Sequence, residues 1–224
     1  MTTVKTSVFA SQLQFLHDNG YNVVPLRDVV HYIEGRGELP ARAVTITADD
    51  GHKSVFTVMR PLIERYRYPV TLFIYPSAIS NASYAMTWQE LKQLQATGFF
   101  DIESHTYWHP NFRVEKRRLS ASNYRKFVTW QLDKSKEVLD RRLGKGVDLL
   151  ARPYGIYDEQ LMAAARQAGY LAAFSIAWGR VSQRTEIMAV PRILVTDRDV
   201  GRAFGSLLAE GRRPIPAAER GSRN

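Results

Sequence analysis

The 224-residue sequence contains no cysteine. That excludes disulfides, thiolate metal sites and cysteine nucleophiles, and it leaves the compartment open. Any bound metal must be held by His, Asp or Glu, a donor set that suits borderline to hard ions such as Zn, Mn, Fe or Co. No apolar run approaches the roughly 18 residues of a membrane span. Met1-Thr2-Thr3-Val4-Lys5-Thr6 has no apolar centre and does not read as a signal peptide. Histidine is scarce: only His17, His31, His52, His105 and His109 are present. Acidic residues are also short, with 22 Asp+Glu against 31 Lys+Arg, a formal charge of +9.

Much of the basic excess is local. One cluster runs from Arg113 through Lys116, Arg117 and Arg118 to Arg125 and Lys126, and another holds Arg212, Arg213, Arg220 and Arg223. Both read as solvated faces, because no nucleic-acid motif stands beside either, so a nucleic-acid partner is disfavoured. The apolar fraction of 45% fits a single globular domain, expected over residues 1–211. Residues 212–224 lack periodicity and are expected to form a basic, disordered tail.

Along the chain, strand-like and helix-like patterns alternate. Phe9, Leu13, Phe15 and Leu16 form a helical stripe that Gly20 ends, and a second helix is expected over Leu26 to Glu34. The β-branched run Ala43 to Thr47 reads as a buried strand leading into Ala48-Asp49-Asp50-Gly51. A helix is expected over Ser54 to Tyr66, and a strand over Pro69 to Tyr75. The next helix starts at Thr87 with Glu90 as its capping-box partner and ends at Gly98. Further strands are expected over 99–104, 147–151, 172–176 and 190–195, with helices over 120–143 and 158–168. No internal repeat is visible. This alternation predicts an α/β fold with a parallel sheet, whose ligand site gathers at the C-terminal strand ends.

Three polar clusters fall at such strand ends. Asp49 and Asp50 can divide two tasks, one binding metal and the other acting as base, with Gly51 supplying the bend. As a bland alternative they form a solvated turn. His105 and His109 stand four apart, a spacing that can bring two imidazoles to one ion, and Pro110 argues against a continuing helix. Two His and one carboxylate form a common metal set with positions left for water and substrate. In Arg152-Pro153-Tyr154-Gly155, Arg152 can hold a carboxylate and the N–H near Tyr154 can meet an oxyanion; otherwise the segment is only a turn. Tyr75, Trp88, Tyr107, Trp108, Tyr154 and Trp178 lie near these loops, where aromatic faces could form a platform for a sugar ring.

Together the three clusters resemble the polysaccharide deacetylase family with NodB homology, also called carbohydrate esterase family 4. The matching segments are Thr47-Ala48-Asp49-Asp50-Gly51, His105-Thr106-Tyr107-Trp108-His109 and Arg152-Pro153-Tyr154-Gly155, in the family's order. Phe9 to Leu13, Gly20-Tyr21, Leu39-Pro40 and Pro191-Arg192-Ile193-Leu194-Val195 look like the PgaB/IcaB-type branch, which deacetylates poly-β-1,6-N-acetylglucosamine in biofilms.

The resemblance implies a distorted (β/α) barrel of the NodB type with an incomplete set of strands. It implies metal-dependent hydrolysis of N-acetyl groups from an N-acetylated polysaccharide. The metal would be Zn, with Co, Ni, Mn or Fe as alternatives, held by Asp50, His105 and His109. Asp49 would be the general base, Arg152 would orient it, and Tyr154 would help to hold the oxyanion. The implied location is periplasmic or extracellular. The family's late Leu-x-His motif has no match, since no histidine follows His109, and His52 is the spare histidine beside the acids. Two alternatives therefore stand beside the deacetylase: a metal- and carbohydrate-binding member without turnover, and an amide hydrolase for a non-sugar substrate.

Overall fold

In a computed structural model, residues 3–210 are described; the basic segment 212–224 lies outside them. The chain opens with helix α1 (Thr6–Asp18), strand β1 (Asn22–Val23) and helix α2 (Leu26–Ile33). Strands β2 (Ala43–Val44) and β3 (Ile46–Asp49) follow almost without a break. Then come helix α3 (Arg60–Tyr66), strand β4 (Val70–Ile74), helix α4 (Trp88–Ala96) and strand β5 (Phe100–Ser104). Helices α5 (Phe112–Arg118) and α6 (Ala121–Leu143) precede strand β6 (Leu149–Ala151). Helix α7 (Glu159–Gln167), strand β7 (Ala172–Phe174) and helix α8 (Gly201–Glu210) complete the described chain.

Five parallel strands form one sheet in the order β3-β4-β5-β6-β7. The sheet is strongly curled. Strands β4 and β7 are three positions apart, roughly 14 Å in a flat sheet, yet the rings of Phe73 and Phe174 approach to 5.5 Å between centroids. Asp49, Phe73 and Glu103 are paired in register and so share the inner face. Leu149, Ala151, Ala172 and Phe174 pack with Phe73 there, and α2 adds Leu26, Val29, Val30 and Ile33. The opposite face of β4 and β5, with Val70, Leu72, Ile74 and Ile102, packs under the outer helices. This is the α/β architecture expected, an incomplete barrel with α2 packed on its inner cluster and other helices outside it.

Local chemistry explains most element boundaries. Thr87 accepts from the Glu90 N–H at 3.1 Å while Glu90 Oε2 accepts from the Thr87 N–H at 2.6 Å, the reciprocal capping box expected for α4. Ser120 caps α6 through the Asn123 N–H, and Gly144 ends that helix at φ 70°.

Two expectations need correction, and two helices were not expected. The helix expected over 54–66 is a π-helical turn, Val55–Met59, running into α3, because Pro61 supplies no N–H to the preceding turn. The strand expected over 190–195 is reduced to a single parallel bridge between Val190 and Phe174, since Pro191 has no N–H to extend the ladder. Helices α5 and α8 carry too few apolar repeats to stand out in the sequence, yet α5 is capped by Asn111 and α8 buries Phe204 and Leu207.

Candidate metal centre

The loops after β3, β5 and β6 bring the three sequence clusters together. Asp50 follows β3 at φ 72°, and Gly51 continues the bend at the same φ. A Cβ at Gly51 would meet Ile74 Cγ2 at 2.7 Å, so both conformation and space demand glycine. Thr106 (φ 64°) and His109 (φ 66°) fold the loop after β5 into a tight turn, and Tyr154 (φ 58°) does the same after β6. Four of the seven non-glycine residues with positive φ among the described residues are thus at this site. Strain of this kind clusters where side chains must be aimed.

Asp50, His105 and His109 each offer a ligand atom, and these atoms lie within 4.8 Å of one another. Asp50 Oδ1 is 3.6 Å from His105 Nε2 and 3.5 Å from His109 Nε2. That oxygen is buried and has no hydrogen-bond partner, which is costly unless something cationic meets it. His105 Nδ1 lies 2.7 Å from the Ala151 carbonyl oxygen. Donation to this acceptor puts the proton on Nδ1 and leaves the Nε2 lone pair facing Asp50, the arrangement a metal-binding imidazole needs. Burial first, and then the neighbouring His105, lower the basicity of His109 against the pull of Asp50 and Asp49, favouring its neutral, ligating form. The donor set therefore fits a divalent cation.

Asp49 faces the same space from the inner side of β3, its Oδ2 3.9 Å from His105 Nε2. Both of its oxygens are taken by one guanidinium: Arg192 Nη1 donates to Oδ1 at 2.7 Å and Nη2 to Oδ2 at 2.8 Å. Arg192 is itself fixed by donating to the Ser175 carbonyl oxygen and to Thr47 Oγ1, and it lies over the Phe73 ring. Burial would raise the Asp49 carboxyl, but Arg192 and His105 outweigh it and hold it below the usual carboxylate range.

Arg152 does not reach Asp49, contrary to the sequence reading. Its side chain is buried, and it donates to the carbonyl oxygens of Met188 and Leu161. The chain turns at the end of β6 and aims Arg152 into the helical layer, where burial pulls its pKa down to about 10. Sequence reasoning missed Arg192 as the partner of Asp49, although Pro191-Arg192 directly after the apolar Val190 was a visible signal. Tyr154 sits on the expected turn, 57% exposed as a residue, its ring packed edge-on against His109 at 4.9 Å between centroids. On the other side, Tyr75 lies 5.3 Å from His109. His52 turns away to Ser54 and stacks on Tyr84.

Comparison with known proteins agrees with this geometry. Residues 36–173 match the family model for polysaccharide deacetylase. The chain belongs to the polysaccharide deacetylase family. It is 26% identical over 200 residues to a poly-β-1,6-N-acetyl-D-glucosamine N-deacetylase of Staphylococcus aureus, covering 87% of this chain and 68% of that protein. The enzyme of the same name from Staphylococcus epidermidis is 24% identical over 212 residues, covering 93% of this chain and 72% of the relative. Among solved structures, Streptococcus pyogenes deacetylase PplD in complex with acetate superposes with a TM-score of 0.81 at 21% identity, over 96% of this chain and 89% of that one. IcaB from Ammonifex degensii gives 0.80 at 23% identity, over 93% of this chain and 90% of that one. These superpositions establish the NodB-type fold of this polysaccharide deacetylase.

Proposed function

We propose that the chain is a metal-dependent N-deacetylase that hydrolyses the acetamide groups of poly-β-1,6-N-acetylglucosamine. The observation that carries this reading is the buried, unpartnered Asp50 Oδ1 facing two imidazole nitrogens beside an arginine-held Asp49. The names of the staphylococcal relatives support the choice of polymer.

Asp50, His105 and His109 would hold the ion, with zinc favoured by two imidazoles and one carboxylate. A divalent cation bound there supplies Lewis acidity toward the acetamide carbonyl and an attacking water. Asp49 is the general base: its carboxylate is kept ionised by Arg192 and takes the water's proton as oxygen attacks the carbonyl carbon. Arg192 keeps Asp49 from rotating away between turnovers. His105 keeps its proton on Nδ1 through the Ala151 carbonyl, so Nε2 stays available. The turn at Tyr154 positions its backbone N–H as an oxyanion donor, and its exposed ring walls the entrance beside His109. Collapse of the tetrahedral adduct breaks the C–N bond as the proton taken by Asp49 passes to the leaving nitrogen, yielding acetate and the free sugar amine. No helix among the described residues is long and apolar enough to cross a membrane; a periplasmic or extracellular location accords with a polymeric substrate of this kind.

The test is acetate release from β-1,6-linked N-acetylglucosamine oligomers. Release should stop on chelation, return with added zinc, and be lost in Asp49→Asn. Asp50→Ala should abolish stoichiometric metal binding by calorimetry. Equal release by wild type and Asp49→Asn would overturn the assignment. Metal and oligomer binding without release would instead establish the reading as a binding protein.

A further inference from the structure

Trp88 packs against the core beneath Arg142. Two other tryptophans stand together on the surface, Trp108 48% and Trp130 44% exposed. Trp108 directly precedes His109 in the loop that carries both histidines, and Trp130 projects from α6. The two indoles meet edge-to-face, with centroids 5.8 Å apart at 66°. Tyr107 packs against Trp130 at 5.0 Å, and Phe127 against Trp108 at 5.7 Å. The ledge is held from beneath. Fully buried Gln131 accepts from the Tyr107 and Trp108 N–H groups at 3.2 and 3.1 Å through one side-chain oxygen. Beside Trp130, the same exposed face of α6 carries Arg125, Lys126, Thr129, Asp133, Lys134 and Glu137 in a shallow, open stripe.

We propose that this ledge and the polar stripe beside it bind the sugar rings that flank the residue being deacetylated, which rests on the deacetylase reading above. A pyranose ring has apolar C–H faces and a hydroxyl-bearing edge. Exposed indole faces match the first. The stripe offers donors (Arg125, Lys126) and an acceptor (Asp133), while Lys134 and Glu137 pair with each other at 3.0 Å, and hydroxyl and acetamido groups can use both kinds of group. An apolar protein partner would instead desolvate those charges. The ledge is continuous with the metal loop and pre-formed, so little ordering is needed on binding. Three cations against two acids also disfavour the ammonium-bearing product relative to the neutral N-acetylated chain.

The experiment is isothermal calorimetry of the metal-free full chain with a β-1,6-linked N-acetylglucosamine pentamer, alongside acetate-release kinetics on the same pentamer with zinc. Trp130→Ala should weaken pentamer affinity by about tenfold and raise KM by a similar factor, with kcat changing much less. Trp130→Phe should recover most of the affinity, which separates loss of the aromatic face from misfolding. Wild-type pentamer affinity in Trp130→Ala, with normal acetate release, would overturn the ledge and leave the deacetylase assignment standing. Trp130-dependent binding without acetate release would sink the deacetylase assignment and keep the ledge. Self-association that is lost in Trp130→Ala while sugar affinity is untouched would show that a second copy covers the patch, and would also overturn the proposal.

Discussion

Asp49 and the two arginines show how one side chain's surroundings set its role. Burial pushes the Asp49 carboxyl up, and the bidentate Arg192 pulls it below its ordinary range, with His105 and His109 assisting. A base must be ionised to act, so the acidic limb of the kcat/KM profile should lie below the usual aspartate range. Arg192→Ala removes the largest favourable charge and should move that limb upward, with kcat/KM falling by about 100-fold or more even at its optimum. Arg152→Met should behave differently. It strips donors from two carbonyls in a buried layer and should lower stability by about 2 kcal/mol, measured by urea denaturation, while the acidic limb stays where it is. An upward-shifted limb in Arg152→Met and an unchanged one in Arg192→Ala would reverse the assignment of the two residues.

At the scale of elements, helix α6 positions the metal loop without contributing a ligand. Gln131 gathers two loop N–H groups, and Ser135 Oγ donates to the Thr106 carbonyl oxygen at 3.0 Å. Two loop residues carry positive φ and would relax if released. Gln131→Met should therefore weaken zinc affinity by about tenfold, the usual effect of loosening the groups that orient ligands, while the helix content seen by circular dichroism is retained. Unaltered zinc affinity would show that the loop holds its shape by itself. The capping box of α4 and the Ser120 cap of α6 were legible as local rules. The clamp was not, because Gln131 and Tyr107 are 24 residues apart and a glutamine on a polar helix carries no periodic signal.

For the molecule as a whole, the inner end of the curled sheet is closed by ions rather than by more apolar packing. Fully buried Glu103 accepts from Arg27 at 2.6 Å, from Lys145 at 2.9 Å and from the backbone N–H groups of Asp148 and Leu149. Burial raises its pKa from 4.5 to about 6, although Lys145 pulls the other way. The folded state thus binds this proton more tightly than the unfolded chain. The stabilising contribution is fully present below the unfolded value of 4.5 and is lost as pH rises through about 6. Lys145→Met removes the cation that favours the ionised form, so Glu103 should titrate higher still. The variant should lose roughly 2 kcal/mol relative to wild type at pH 7 to 8, a value reduced from that of a fully buried pair because Lys145 is partly exposed. Below about pH 5 the difference should shrink, because both proteins then carry Glu103 protonated. A urea midpoint difference that is independent of pH would show that Lys145 acts through packing alone.

By itself the sequence determined the alternation of strands and helices, the capping chemistry and the grouping of Asp49-Asp50, His105-His109 and Arg152 to Gly155 at strand ends. These are local properties, written in side-chain period and in the bends that Gly51 and Gly155 allow. Only the tertiary structure decided which arginine faces Asp49, because Arg192 and Asp49 are 143 residues apart and meet through the curl of the sheet. It likewise decided which aromatics are core and which form a ledge, since Trp88 and Trp130 carry the same local signal and differ only in what packs over them. The directions of side chains at the ends of curled strands depend on closure of the whole barrel, and no spacing along the chain encodes that.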